Sequence, residues 1–181
     1  MKAISETIQW NPEPRVVYLV DGQLVDESRL PGSIRNRGFR YADGFFETIR
    51  VAHGKAQHLS LHFNRIINSL KAHRIQAPGD FNLSVFSAAV ERLIQANSLL
   101  EGGRIRASFI RDGEGRYTPT SNALLWIAEC EPIDHNAFQI NEKGISVDLF
   151  LAMKKSISPL ANFKNIAANL YVQASIWAAE H

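Results

Sequence analysis

The chain has 181 residues, 45% of them hydrophobic and 21% charged, which is ordinary globular composition. A chain of that length buries roughly 70% of its unfolded surface, enough for a proper core in one large domain, or in one domain and part of another. Twenty Lys and Arg against eighteen Asp and Glu leave a formal charge of +2, which excludes an acidic tail and gives no electrostatic case for binding nucleic acid.

At the N-terminus, Met1 to Trp10 has no apolar stretch after Lys2 and does not read as a signal peptide. Val16 to Val20 is a short apolar, β-branched run, followed by Asp21-Gly22 and then Gln23-Leu24-Val25. Asp-Gly between two such runs predicts a hairpin, because the turn requires positive φ. A second hairpin is predicted with arms Phe45–Val51 and Lys55–Leu59 and His53-Gly54 as its turn. Two helices follow. Phe63, Ile66, Ile67 and Leu70 form one apolar stripe, with Ser60 as the expected N-cap. Leu83, Phe86, Val90, Leu93 and Ile94 form another, and Pro78-Gly79-Asp80 separates the two. Ile105, Ala107 and Phe109 alternate with polar residues as in a half-buried strand, and Arg111 to Pro119 reads as a loop. The continuous apolar run Ala123–Ala128 predicts a more deeply buried strand. Glu131-Pro132-Ile133-Asp134 is the expected linker. Beyond it, Ile145, Val147, Leu149 and Leu151 alternate as a strand, Ser156 to Asn162 is a loop, and Lys164 to Glu180 reads as an Ala-rich helix. This order predicts an α+β fold with a mostly antiparallel first sheet.

The single Cys130 excludes an internal disulfide and fits a reducing, cytoplasmic compartment. No apolar run approaches the ~18 residues of a membrane helix. The six histidines do not form an HExxH motif, and there is no P-loop, GxGxxG or GxSxG motif. Composition and periodicity alone therefore end at a globular α+β domain.

Four stretches go further. Asn36 to Val51 (NRGFRYADGFFETIRV), Leu61 to Leu70 (LHFNRIINSL), Arg104 to Pro119, and Ser158 to Lys164 (SPLANFK) with its Ala-rich continuation occur in this order. Together they resemble the class IV (fold-type IV) aminotransferases that use pyridoxal phosphate (PLP), a family that includes branched-chain and D-amino acid aminotransferases and 4-amino-4-deoxychorismate lyases. The resemblance implies a D-amino acid aminotransferase-like α+β fold. Its first domain would span 1–132, an antiparallel sheet with two helices, and 133–181 would begin the cofactor-binding domain. It implies amino-group transfer between an α-amino acid and a 2-oxo acid through a lysine Schiff base, with pyruvate elimination from aminodeoxychorismate as the related alternative. The implied partners are a small-molecule substrate and a second copy of the chain in a homodimer.

Residue by residue, the resemblance makes Lys164 the Schiff-base lysine, a role that suits an amine whose protonation responds to its surroundings. Arg65 matches the arginine that binds the cofactor phosphate, where bidentate charge-assisted bonds serve. Tyr41, Phe46 and Glu47 match positions lining the pocket. In a strand Phe46 and Glu47 must point to opposite faces, so only one of them faces a given wall. Relatives bind the substrate carboxylate with an arginine in the loop after strand 104–110, which leaves Arg111 and Arg116 as the two candidates. The chain departs from the pattern at Ala167, where relatives often carry asparagine, and at Trp177-Ala178, where they carry Glu-Ala. The acidic residue that holds the pyridine nitrogen in relatives would fall after His181. The resemblance therefore implies a fragment or a truncated homologue of a longer enzyme, or a binding or dimerisation module that has lost the cofactor site.

Overall fold

The computed structural model describes residues 16–31, 35–133, 137–138, 140 and 142–181. The expectations for Met1 to Trp10 and for Asp134 lie outside the described residues. Six strands form one antiparallel sheet in the order β2-β1-β6-β5-β3-β4. They are β1 (Tyr18–Val20), β2 (Gln23–Val25), β3 (Gly44–Ala52), β4 (Lys55–Ala56), β5 (Gly103–Arg111) and β6 (Leu124–Pro132). The helices are α1 (Arg37–Tyr41), α2 (Leu59–His73), α3 (Leu83–Ala96) and α4 (Asn169–Glu180). This is the expected α+β order, and none of the described helices is long and apolar enough to cross a membrane.

Both hairpins form where the turn residues dictate. Asp21 and Gly22 have φ of 46° and 82°, and His53 and Gly54 have 50° and 67°, the paired positive values of a tight hairpin turn. The second hairpin is shorter than expected, because strand pairing in β4 stops at Ala56. Gln57 N–H still donates to Arg50 O at 2.8 Å, and α2 starts directly afterwards from His58 in a left-handed conformation. Ser60 therefore lies inside the first turn and is not the cap. In α3, by contrast, the Asn82 side chain accepts from Val85 N–H and caps the helix.

Helices α2 and α3 cover one face of the sheet. Phe63, Ile66 and Leu70 from α2 and Phe86, Val90, Leu93 and Ile94 from α3 are buried against it. Leu83, expected in the same stripe, is 40% exposed. Phe45, Phe109 and Trp126 are direct cross-strand partners on β3, β5 and β6. Their rings stack in a ladder, with centroids 5.1 and 6.1 Å apart and interplanar angles of 13°. Such neighbours on one sheet face add specific ring contacts to the burial itself. Gly44, at the start of β3, permits a close approach: a Cβ there would sit 2.4 Å from the Phe109 carbonyl oxygen.

Three expectations need correction. The run 123–128 is not uniformly buried; Leu124, Trp126 and Ala128 face the core while Leu125 and Ile127 are half-exposed, so the sheet has one covered face. Glu131 and Pro132 are the last residues of β6, paired with Arg104 and Gly103, and not a linker. Ile145, Val147, Leu149 and Leu151 form no strand and are 75–85% exposed. Alternation marks a strand face, but pairing makes a strand, and none of the described strands hydrogen-bonds to this stretch.

Candidate active site

β4 pairs only with Val51 and Ala52, which leaves the Gly44–Glu47 edge of β3 without a neighbouring strand. The Lys164 segment occupies that edge. Phe46 N–H donates to Lys164 O at 2.9 Å, Ile166 N–H donates to Gly44 O at 3.2 Å, and Phe45 and Asn165 form an antiparallel bridge. Lys164 is thus not a helix residue, since α4 begins only at Asn169, and the dipole of that helix does not bear on its charge. Its side chain is exposed and lies on the uncovered face of the sheet. Nζ donates to Thr48 Oγ1 at 3.2 Å and sits 4.8 Å from the centre of the Phe46 ring.

Arg106, the β5 partner of Thr48, places its guanidinium carbon 3.6 Å from the centre of the same ring. Two cations therefore lie against one aromatic ring. Sequence reasoning missed Arg106. The only available signal was the alternation that puts residue 106 on the opposite face from Ile105 and Ala107. Phe46 and Lys164 line a cavity of about 680 Å³ with Lys154, Lys155, Ser158 and Tyr171, within the usual range for a small-molecule site.

Glu47 points to the other face of β3. It is buried and takes hydrogen bonds from Arg65 Nε and Nη2 at 3.0 and 2.5 Å and from His62 Nδ1 at 2.8 Å. Burial alone would raise the Glu47 carboxyl, but the bonds from His62 and Arg65 and the Arg65 charge outweigh it and hold the group below its ordinary range. The bond to Glu47 in turn raises Arg65. The Arg65 side chain is 59% exposed, and its Nη1 has no partner among the described residues. Neither Glu47 nor Arg65 lines the cavity that holds Lys164.

A second cavity of about 870 Å³ lies on the far side of the lysine segment and includes Tyr41, Tyr117, His73, Arg111 and Asn165. Tyr41 and Tyr117 pair at 5.9 Å, with Arg37 over the Tyr41 ring at 5.0 Å. Arg111 is buried and engaged: Nε donates to Asp43, Nη1 to Arg74 O and Asn122 Oδ1, and Nη2 to His73 O. Asp43 also receives Arg37 Nε at 2.7 Å, while Arg37 Nη1 donates to Arg116 O at 2.8 Å and so fixes the 114–116 loop. Burial works to raise Asp43, and the two arginines together hold it below its ordinary value. Arg116 itself is exposed, and its guanidinium has no partner among the described residues. Of the predicted site residues, Lys164 and Phe46 come together, Glu47 and Arg65 form a separate cluster behind them, and Tyr41 and Arg111 border the second cavity.

Residues 44–181 match the family model for class IV amino-transferases. Over 84 residues the chain is 30% identical to the D-alanine aminotransferases of Staphylococcus haemolyticus and Staphylococcus epidermidis, which covers 46% of this chain and 29% of those proteins. The fold is similar to that of the branched-chain aminotransferase from Thermoproteus uzoniensis with norvaline, at TM-score 0.59 and 22% identity over 65% of this chain and 41% of that one. It is also similar to the branched-chain enzyme from Thermobaculum terrenum in its PLP form, at TM-score 0.57 and 14% identity over 66% of this chain and 41% of that one. The matched segment thus spans less than a third of the curated relatives' length, and the superposed part less than half of the solved chains.

Proposed function

Since the chain belongs to the class IV aminotransferase family, we propose that it takes part in PLP-dependent amino transfer between an α-amino acid and a 2-oxo acid, with Lys164 as the catalytic lysine. The observation that carries this reading is the placement of Lys164. An amine with no carboxylate partner among the described residues stands over an aromatic ring, in a cavity, on a segment pinned by two backbone hydrogen bonds. The residues present fit the cofactor. Lys164 offers the amine for its aldehyde, Phe46 a flat apolar wall, and Lys154 and Lys155 the positive charge that a phosphate needs; Arg65 is read as the phosphate arginine on the resemblance alone, since it is held by Glu47 outside this cavity. PLP, when bound, supplies the electron sink for charge developing at the substrate Cα. Lys164 Nζ takes and returns the proton at that carbon, and Thr48 Oγ1 orients the amine.

For the substrate carboxylate, Arg111 and Arg116 stay the two candidates; the donors of Arg111 are engaged in the fold, and Arg106, over the Phe46 ring, lies 4.0 Å from Glu129 and lines a separate pocket. Arg116 is exposed, with no guanidinium partner among the described residues, and its chain neighbour Tyr117 lines the second cavity with Tyr41. Glu47 acts through Arg65 and does not face the substrate. Residues 1–132 are read as the first domain and 133–181 as the opening of the cofactor domain. A homodimer in a cytoplasmic setting is the expected assembly. The test is incubation of the native protein with PLP and borohydride, then peptide mapping: label on Lys164 supports the reading, and none in wild type defeats it. Assay with an amino acid and pyruvate then separates amino transfer from the elimination chemistry of the related lyases.

A further inference from the structure

Beside the lysine segment lies a buried histidine that the proposed chemistry does not use. His73 ends α2, with its ring 5.2 Å from Phe45 and edge-on to Phe163 at 5.9 Å. Its Nδ1 is 2.8 Å from Ser69 O, and its Nε2 is 2.7 Å from Oδ1 of Asn165, the residue after Lys164. Asn165 Nδ2 donates to Leu160 O at 2.8 Å. That bond fixes the amide's orientation, because turning it over would set oxygen against oxygen. Both atoms facing the ring are therefore acceptors, and the ring satisfies both only with a proton on each nitrogen. A neutral ring keeps one bond and turns a lone pair to the other acceptor. The charged groups around it are Arg74, next in the chain; Arg111 from β5, which donates to His73 O; and Asp43, which accepts from Arg111 and Arg37. Lys164 Nζ lies against Thr48 on the other face of β3.

We infer that His73, as the imidazolium, is the positioning residue of Lys164. Through Asn165 it latches the lysine segment to the open edge of β3, and loss of one ring proton loosens the latch. The consequence for catalysis rests on the reading of Lys164 above, but the latch itself does not. The ring supplies what the two edge hydrogen bonds lack, a side-chain tie from the covered face of the sheet to the residue beside the lysine.

The experiment is amide hydrogen exchange on the full chain, read at Phe46 and Ile166, whose N–H groups hold the segment, with β5 and β6 amides as the internal reference. In His73→Leu and in Asn165→Ala, exchange at these two amides rises about tenfold while the reference amides hold. Asn165→Ala keeps the question answerable if the buried leucine fails to fold. In wild type, protection at the two amides falls in step with the titration of His73, followed by its own ring NMR signals, and Asn165→Ala abolishes that step. Unchanged protection in Asn165→Ala, or protection indifferent to the ring's titration, overturns the inference. Borohydride trapping with PLP is run in parallel and slows about tenfold in both variants. No label on Lys164 in wild type overturns the functional reading alone, and the exchange data still judge the latch.

Discussion

Glu47 is a buried carboxylate with two basic neighbours, and its ionisation ties stability to pH. Its folded-state value lies below the ordinary 4.5, and that of Asp43 below 3.8. The unfolded chain therefore holds these protons more tightly than the native one. The stabilisation is complete above the ordinary values and is lost as pH falls through the lowered ones. Thermal melts at decreasing pH should show the midpoint dropping below about pH 4.5, and Glu47→Gln should flatten part of that drop; a curve of unchanged steepness would remove Glu47 from the account. The same substitution frees Arg65 from its anchor, so affinity for PLP should fall severalfold while affinity for pyridoxal, which lacks the phosphate, stays level. Arg65→Ala should do the same more strongly, and equal losses for both compounds would mean that Arg65 meets no phosphate. Cys130 behaves differently. Burial, with Glu129 adding to it, pushes its thiol up to about 11. Alkylation near pH 8 should therefore run on the order of tenfold or more slower than for an open cysteine and recover on unfolding.

At the scale of elements, β3 joins the core to the candidate site. One face carries Phe45 and Ile49 into the core, and the other presents Phe46 and Thr48 to Lys164. Phe109 stands in the middle of the ring ladder behind it, fully buried between Phe45 and Trp126. Phe109→Ala removes its ring contacts with Phe45, Trp126 and Phe86 and leaves a cavity, an expected loss of about 3–5 kcal/mol in denaturant unfolding. Asn82→Ala removes only the α3 cap, an expected loss of about 1 kcal/mol. Near-equal values would mean that the ladder does not organise the core. Local signals made these elements readable in advance. Asp21-Gly22 and His53-Gly54 tolerate the positive φ that a tight hairpin turn needs, and the apolar stripes of α2 and α3 repeat within the span of one helix. The end of β4 and the start of α2 were not readable, because one non-repetitive bond, Gln57 N–H to Arg50 O, sets them.

Across the whole molecule, what escaped the sequence is non-local. Lys164 was recognised from its neighbours in the chain, but its place on the open edge of β3 depends on a strand more than a hundred residues earlier. Arg106 comes beside Phe46 and Thr48 only through cross-strand register. Arg111 is held within the fold because His73, Arg74, Asn122 and Asp43, which are scattered in sequence, converge on its guanidinium. The alternating stretch 145–151 promised a strand, and the described residues give it no partner. Lys164, on its pinned edge segment, is the proposed point of cofactor attachment. Borohydride reduction after incubation with PLP, followed by peptide mass mapping, tests it most directly. The expected result is a single phosphopyridoxyl label on the peptide containing Lys164, absent from Lys164→Ala; label spread over other lysines, or retained in that variant, would contradict it.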